Sequence, residues 1–162
     1  MPIKILLLNQ AEKYMNHKGQ SLFEVIFAIG IAAVILVAIA SLAAKSIANS
    51  TFSKNNALAS KYAQEGSECL REQRDNALRT TGWNAFKLQA TNTKCLNGAA
   101  PNCISVSGMC DIPGTPFRRG ATFSNVVNLN GEEIRAIVIV QWSDGQGTHQ
   151  VRNITTFTNW NK

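Results

Sequence analysis

The sequence predicts an α+β fold. A long N-terminal helix, membrane-spanning in its first half, packs its second half against a C-terminal antiparallel β-sheet, with a disulfide-rich connecting loop between them. Three observations carry this expectation. From Val25 to Ala44, 20 consecutive residues bear no charge. No proline occurs between Pro2 and Pro101. The last quarter of the chain alternates apolar and polar residues between turn signals.

The apolar run sets the first half of the helix. At about 1.5 Å per residue its length is roughly 30 Å, the thickness of a bilayer core. Its β-branched residues do not oppose a helix, because in lipid the backbone must satisfy its own hydrogen bonds. Lys4, Lys13 and Lys18 precede the span and only Glu12 opposes them, whereas Lys45 follows it. The positive-inside rule then places the N-terminus in the cytoplasm and the 118 residues after Ala44 outside. All four cysteines follow the span, which fits an oxidising compartment.

The helix is expected to continue from about Ser21 to about Leu78. Beyond the span, Leu58, Ala59, Tyr62, Ala63, Gly66, Cys69, Leu70 and Ala77 recur at helical spacing and form one apolar face. Glu65, Glu68, Arg71, Glu72 and Asp75 form the other. Glu68 with Arg71, and Arg71 with Asp75, are placed to pair, each for about 0.2–0.5 kcal/mol. Ser50, Thr51, Ser53, Asn55 and Asn56 are poor helix formers, so a local break or bend there would be no surprise. Thr80-Thr81-Gly82 is the expected stop.

Residues 83–120 show no clear periodicity and are rich in Gly, Pro, Asn and Thr; such a stretch calls for crosslinks or a function. Strands follow. Residues 121–130 run into Asn130-Gly131, a hairpin signal. Residues 132–142 put Ile134, Ala136, Val138, Val140 and Trp142 on one face, with Arg135 and Gln141 on the other. Ser143 to Gly147 is a second turn. The strand 149–160 then puts Val151 and Phe157 on one face, Ile154 and Trp160 on the other. This is an antiparallel meander, one face of which covers the apolar stripe of the helix.

Cys69, Cys95, Cys103 and Cys110 are separated by 25, 7 and 6 residues. There is no C-x-x-C pair, and only His17 and His149 could add imidazoles, which argues against zinc. Two disulfides are expected, with three connectivities open; Cys95–Cys103 as a local clasp with Cys69–Cys110 is the preferred pair. Trp83, Trp142 and Trp160 are expected in or near the core, and His149 at the surface beside a turn. Asn153-Ile154-Thr155 fits a glycosylation triplet that arises often by chance. No P-loop, metal-ligand cluster or nucleophile–base pair stands out, so the expectation is a protein that is not an enzyme and uses no cofactor. The formal charge of +6 comes from scattered basic residues, which argues against a specific nucleic-acid role.

The stretch HKGQSLFEVI (17–26) sets a basic pair and a glycine before the apolar run, with Glu24 at its edge. A carboxylate in a bilayer core costs about 2.5–3.5 kcal/mol on insertion scales, so it calls for a partner. A cut after Gly19 would supply one: the α-amine of Gln20, close to Glu24 along the helix and able to reach Glu24 of a neighbouring subunit.

At these residues KGQSLFEVIFAIGIAAVILVAI resembles the class III signal peptide of type IV pilins and type II secretion pseudopilins. AQEGSECLREQRD (63–75) and the C-terminal strands are similar, less specifically, to the periplasmic helix and sheet of pilin-like proteins. The resemblance implies that a membrane prepilin peptidase cuts after Gly19 and methylates the new amine on Gln20. It implies that Glu24 serves subunit recruitment and assembly. The family usually has phenylalanine or methionine where this chain has Gln20, a departure that bears on methylation more than on cleavage.

The implied organisation is a leader (1–19), a transmembrane and assembly half of the helix (20–45), an amphipathic half (46–80), a cysteine-containing connecting region (81–120) and an antiparallel sheet (121–162). Implied partners are the peptidase, other pilin or pseudopilin subunits, the inner-membrane assembly platform and the membrane. The precursor would wait in the cytoplasmic membrane and end in a periplasmic or cell-surface filament. The connecting region and Gln20 favour a minor component. Two alternatives stand beside this: a signal-anchored adhesion or receptor domain that never polymerises, and a DNA-binding minor pilin. The second requires Arg118, Arg119 and Arg135 to cluster.

Overall fold

The computed structural model describes residues 18–98, 102–128 and 131–159; for 18–21, 127–128 and 131 it describes the backbone alone. The leader up to His17, Asn130 of the first hairpin signal and Trp160 lie outside the described residues. The chain divides into two compact units, residues 1–50 and 51–162. The division falls inside the expected amphipathic half.

In the first unit the described residues belong to helix α1, Lys18–Thr80. It holds an 18-residue window of mean hydropathy 3.0, long and apolar enough to cross a membrane. Its apolar side chains face outward all round; Leu22 is 66% and Val37 67% exposed. Ser41 turns its hydroxyl inward, donating to the Val37 carbonyl at 2.9 Å, and so exposes no unpaired donor. A side chain at Gly30 would meet nothing within 4 Å, so packing within this chain does not require glycine there.

Helix α1 continues through residues 50–56 without a break. Phe52 supplies a reason: its ring lies 6.0 Å from Trp142 and 5.1 Å from His149, so tertiary contact offsets weak local propensity. The helix stops at Gly82, whose φ of 84° suits glycine; the N–H groups of Thr81 and Gly82 both donate to the Ala77 carbonyl. A short helix α2, Trp83–Gln89, follows and buries Trp83 and Phe86.

Six strands form one sheet: β1 (Thr93–Leu96), β2 (Ile104–Ser107), β3 (Cys110–Asp111), β4 (Arg118–Asn128), β5 (Gly131–Asp144) and β6 (Gly147–Thr158). Their order is β2-β1-β4-β5-β6, with β3 also pairing β4. β1 and β3 lie end to end along one edge of β4: Cys95 is opposite Gly120 and Cys110 opposite Arg119. The meander β4–β5–β6 has the expected antiparallel pairing. Its first connection is shifted by one residue, because Asn128 pairs with Gly131. Its second pairs Asp144 with Gly147.

The core lies between α1 and one face of the sheet. Ala59, Ala63 and Leu70 of the helix are buried, as are Ala121 and Phe123 of β4 and Ile134, Ala136, Val138, Val140 and Trp142 of β5. Val151 and Phe157 join this face, and Ile154 is 63% exposed on the other, as the alternation predicts. Phe86 of α2 meets Phe157 edge-on at 5.6 Å and extends the core past the end of α1. Burying a phenylalanine this completely stabilises by about 1.5–3 kcal/mol, which makes α2 part of the core rather than a loop.

At Gly66 an added Cβ would come within 3.0 Å of Val138 Cγ1 and 3.3 Å of both Arg119 Cδ and Leu96 Cδ1. Gly66→Leu is therefore expected to destabilise the second unit by about 1–3 kcal/mol through overpacking, despite leucine's better helix propensity. Gly30→Leu in the same chain should leave that unit unchanged. Denaturant unfolding followed by tryptophan fluorescence measures both.

Candidate functional site

The first candidate site is the start of α1. Gly19 and Gln20 have helical backbone, so Gln20 and Glu24 lie one turn apart on the same face. Glu24 is exposed among exposed Leu22, Phe23, Val25, Ile26 and Phe27. Phe23 and Phe27 stack at 5.6 Å, an i,i+4 pair that stiffens this turn. Among the described residues no ion-pair partner faces Glu24. A shallow apolar groove runs along the next turns, lined by Ile26, Phe27, Gly30, Ile31, Val34 and Ile35, with Gly30 as its floor.

The second candidate is the connecting region, where the structure corrects the expected disulfides. The bonds are Cys69–Cys103 and Cys95–Cys110, not Cys95–Cys103 and Cys69–Cys110. The cause is strand pairing. β1 and β3 set Cys95 and Cys110 opposite adjacent residues of β4, with Cα atoms 5.3 Å apart. Cys103, close to Cys95 in sequence, is instead drawn to the helix. Gln73, one turn after Cys69, accepts from the backbone N–H of Cys103 and of Ile104, both at 3.0 Å. Its amide nitrogen donates to Gln89 Oε1 at 2.6 Å. Gln73 is 4% exposed, and its position three residues after Leu70 on the apolar stripe was the available signal for it.

Arg119 also faces the core. Its Nε donates to the Leu96 carbonyl at 2.9 Å and its Nη1 to the Tyr62 carbonyl at 3.2 Å, joining β4, β1 and α1. Burial lowers its pKa, opposed by the negative charge of Glu65, whose Oε2 lies 3.9 Å from Nη1. A guanidinium remains charged regardless, so this is a permanent, partly buried cation satisfied mainly by carbonyls. Glu65 also faces Lys61 at 3.8 Å, and Glu68 pairs with Arg71 as expected. Asp75 pairs with its neighbour Arg74 at 2.7 Å instead of Arg71.

The three arginines that DNA binding would require do not cluster. Arg119 points to the inner face, while Arg118 lies on the outer face, 3.1 Å from Asp111. Arg135, also outward, pairs with Ser124, six positions along β4 from Arg118, or roughly 20 Å.

His149 is not the free surface side chain expected. It is partly buried, with Nε2 3.0 Å from Asp144 Oδ1 and its ring 5.3 Å from Trp142. Asp144 Oδ1 also accepts the Gln146 N–H at 2.8 Å. Trp83 and Trp142 are core residues, each with a buried indole N–H that lacks an acceptor. No cluster of metal-binding side chains occurs among the described residues. No protein-family model, curated protein or solved structure matches the chain.

The Gln146 N–H, and secondarily His149, hold the Asp144 carboxyl below the usual aspartate range. A carboxyl with a depressed folded pKa adds stability above its unfolded pKa of about 3.9, and that stability is lost as pH falls through the folded value. The stability difference between wild type and Asp144→Asn is thus expected to be largest above about pH 5 and to shrink towards pH 2. Urea titrations across this range measure it.

Proposed function

We propose that the chain is a pilin-like structural subunit, a minor pilin or pseudopilin, of a type IV pilus or type II secretion pseudopilus. The observation that carries this reading is the start of α1: a glycine, then a carboxylate with no ion-pair partner among the described residues, then a run of exposed apolar side chains. A span needs only the apolar surface. The exposed Glu24 and the cleft at Gly30 are what a packed assembly of such helices would use.

The physical sequence is as follows. The precursor waits in the cytoplasmic membrane with Lys4, Lys13 and Lys18 inside. Prepilin peptidase cuts after Gly19 and frees the Gln20 amine. In the filament that amine compensates Glu24, offsetting a burial cost of about 2.5–3.5 kcal/mol and fixing the axial register of neighbouring helices. Helices that leave lipid for one another gain little from hydrophobicity, so close contact must come from small residues. Gly30, Ala28, Ala32 and Ala33 supply these. The disulfide-bonded second unit forms the outer surface.

Intact mass and N-terminal sequencing, from cells that supply a prepilin peptidase, test the reading. The expected chain begins at Gln20, with or without one methyl group. Retention of residues 1–19 beside active peptidase would overturn it in favour of a plain signal anchor. Replacing Gly19 by a bulky residue is expected to leave the precursor uncut. Glu24→Ala and Gly30→Leu should be cut normally yet be depleted from sheared filaments, while unfolding of the second unit stays at the wild-type midpoint.

A further inference from the structure

The two outer strands of the sheet differ. β2 has four residues, and the pairing of β1 with it shifts between Lys94 and Leu96. β6 has twelve, paired to β5 from Asp144↔Gly147 to Glu133↔Thr158 without a bulge. Proteins usually blunt a long edge with proline, lysine, a bulge or a covering segment. β6, GTHQVRNITTFT, has no proline, lysine or bulge, and no described strand covers its far side.

The orientation of its free groups follows from the hairpin. With only two residues between Asp144 and Gly147, these two form a hydrogen-bonded pair, and such pairs alternate along the ladder. Odd-numbered residues of β6 therefore bond to β5. Thr148, Gln150, Arg152, Ile154, Thr156 and Thr158 aim N–H and C=O at the open edge. Their side chains are exposed on the outer face of the sheet. Ile154 pairs with half-buried Ile137, making an apolar row that ends at the edge; Arg152 ends the next row, beside Ile139. Arg135 stands opposite Thr156 on the same face.

We propose that the β6 edge docks an extended segment of a partner protein, carrying an aliphatic side chain and a carboxylate two residues apart. Main-chain bonds supply affinity, and the alternating side chains supply choice. The aliphatic group extends the Ile137–Ile154 row, and the carboxylate meets Arg152. A second copy does not fit as well, since edge strands β6 and β2 contain no carboxylate, and β3, which carries Asp111, is only two residues long. This surface is independent of the helix start and of the filament reading.

The probe is the blocked peptide Thr-Thr-Ile-Thr-Glu-Thr-Thr, whose order sets isoleucine beside Ile154 and glutamate beside Arg152 in an antiparallel pair. Amide hydrogen exchange of the full chain in detergent micelles is followed by NMR. The expected result is slowed exchange at Gln150, Arg152, Ile154 and Thr156, with Val151, Asn153 and Thr155 unchanged. Lysine in place of the peptide's glutamate should weaken binding about two- to fivefold, and Arg152→Glu should restore it. Absence of this alternating protection up to the solubility of the peptide overturns the proposal. So does equal binding of both peptides, or protection that appears without peptide and rises with protein concentration, which would mark self-pairing.

Discussion

Ala59, Ala63 and Gly66 put almost no side chain between α1 and the sheet, and that thin stripe sets how closely the two can lie. A Cβ at Gly66 would already crowd Val138, Arg119 and Leu96. The other links of the second unit depend on this spacing. Arg119 reaches the Tyr62 carbonyl of the helix and the Leu96 carbonyl of β1 with one side chain, which needs both within a few ångströms of β4. Cys69 and Gln73 reach the backbone around Cys103 only because the helix turn that carries them is already near. The bulky core residues form two separate pairs at opposite ends of β5, Phe117 with Trp142 and Phe86 with Phe157.

α1 carries two different surfaces on one continuous backbone. Between Leu22 and Ala44 the exposed side chains are apolar on all sides apart from Glu24 and Ser41, which suits lipid or other helices but not water. After residue 51 the helix is one-sided, with ion pairs Lys61–Glu65 and Arg71–Glu68 on the outward face. Such exposed pairs are worth little each, so the second half is held by its buried face rather than by its charges. The disulfides add to this by tying the connecting region once to the helix and once within the sheet.

What was legible follows the range of the interactions. The helix and the strands β4–β6 are long enough for periodicity to show, and their faces came out as read: Ile134 to Trp142 inward, Ile154 outward. Strands β1, β2 and β3 have four, four and two residues, too few for a period, and exist because β4 and two disulfides hold them. α2 is a single amphipathic patch, Trp83 and Phe86, inside a stretch that reads as irregular. The cysteine pairing failed for the same reason: nearness in sequence favoured Cys95–Cys103, whereas ladder register put Cys95 beside Cys110. The helix runs unbroken through poor helix formers, where Phe52 makes contacts that no local propensity contains. At the helix start, by contrast, the pattern of Gly19, Glu24 and the apolar run is local and was fully visible.

The chain thus places two charges in weakly polar surroundings and treats them differently. Arg119 is partly buried, and the carbonyls of Tyr62 and Leu96, with Glu65 nearby, answer it inside the fold. Glu24 sits in an apolar girdle with no answering cation among the described residues. A carboxylate left so in lipid or in a helix bundle carries a penalty that nothing else in α1 removes. Such a group is tolerable while it can reach the headgroup interface, and becomes favourable only when a cation arrives. A cut after Gly19 would create that cation one turn away, on the same face of the same helix. Under the proposed function, cleavage and assembly would be coupled through one charge: before the cut Glu24 would lack this amine, and after it each new helix would bring one.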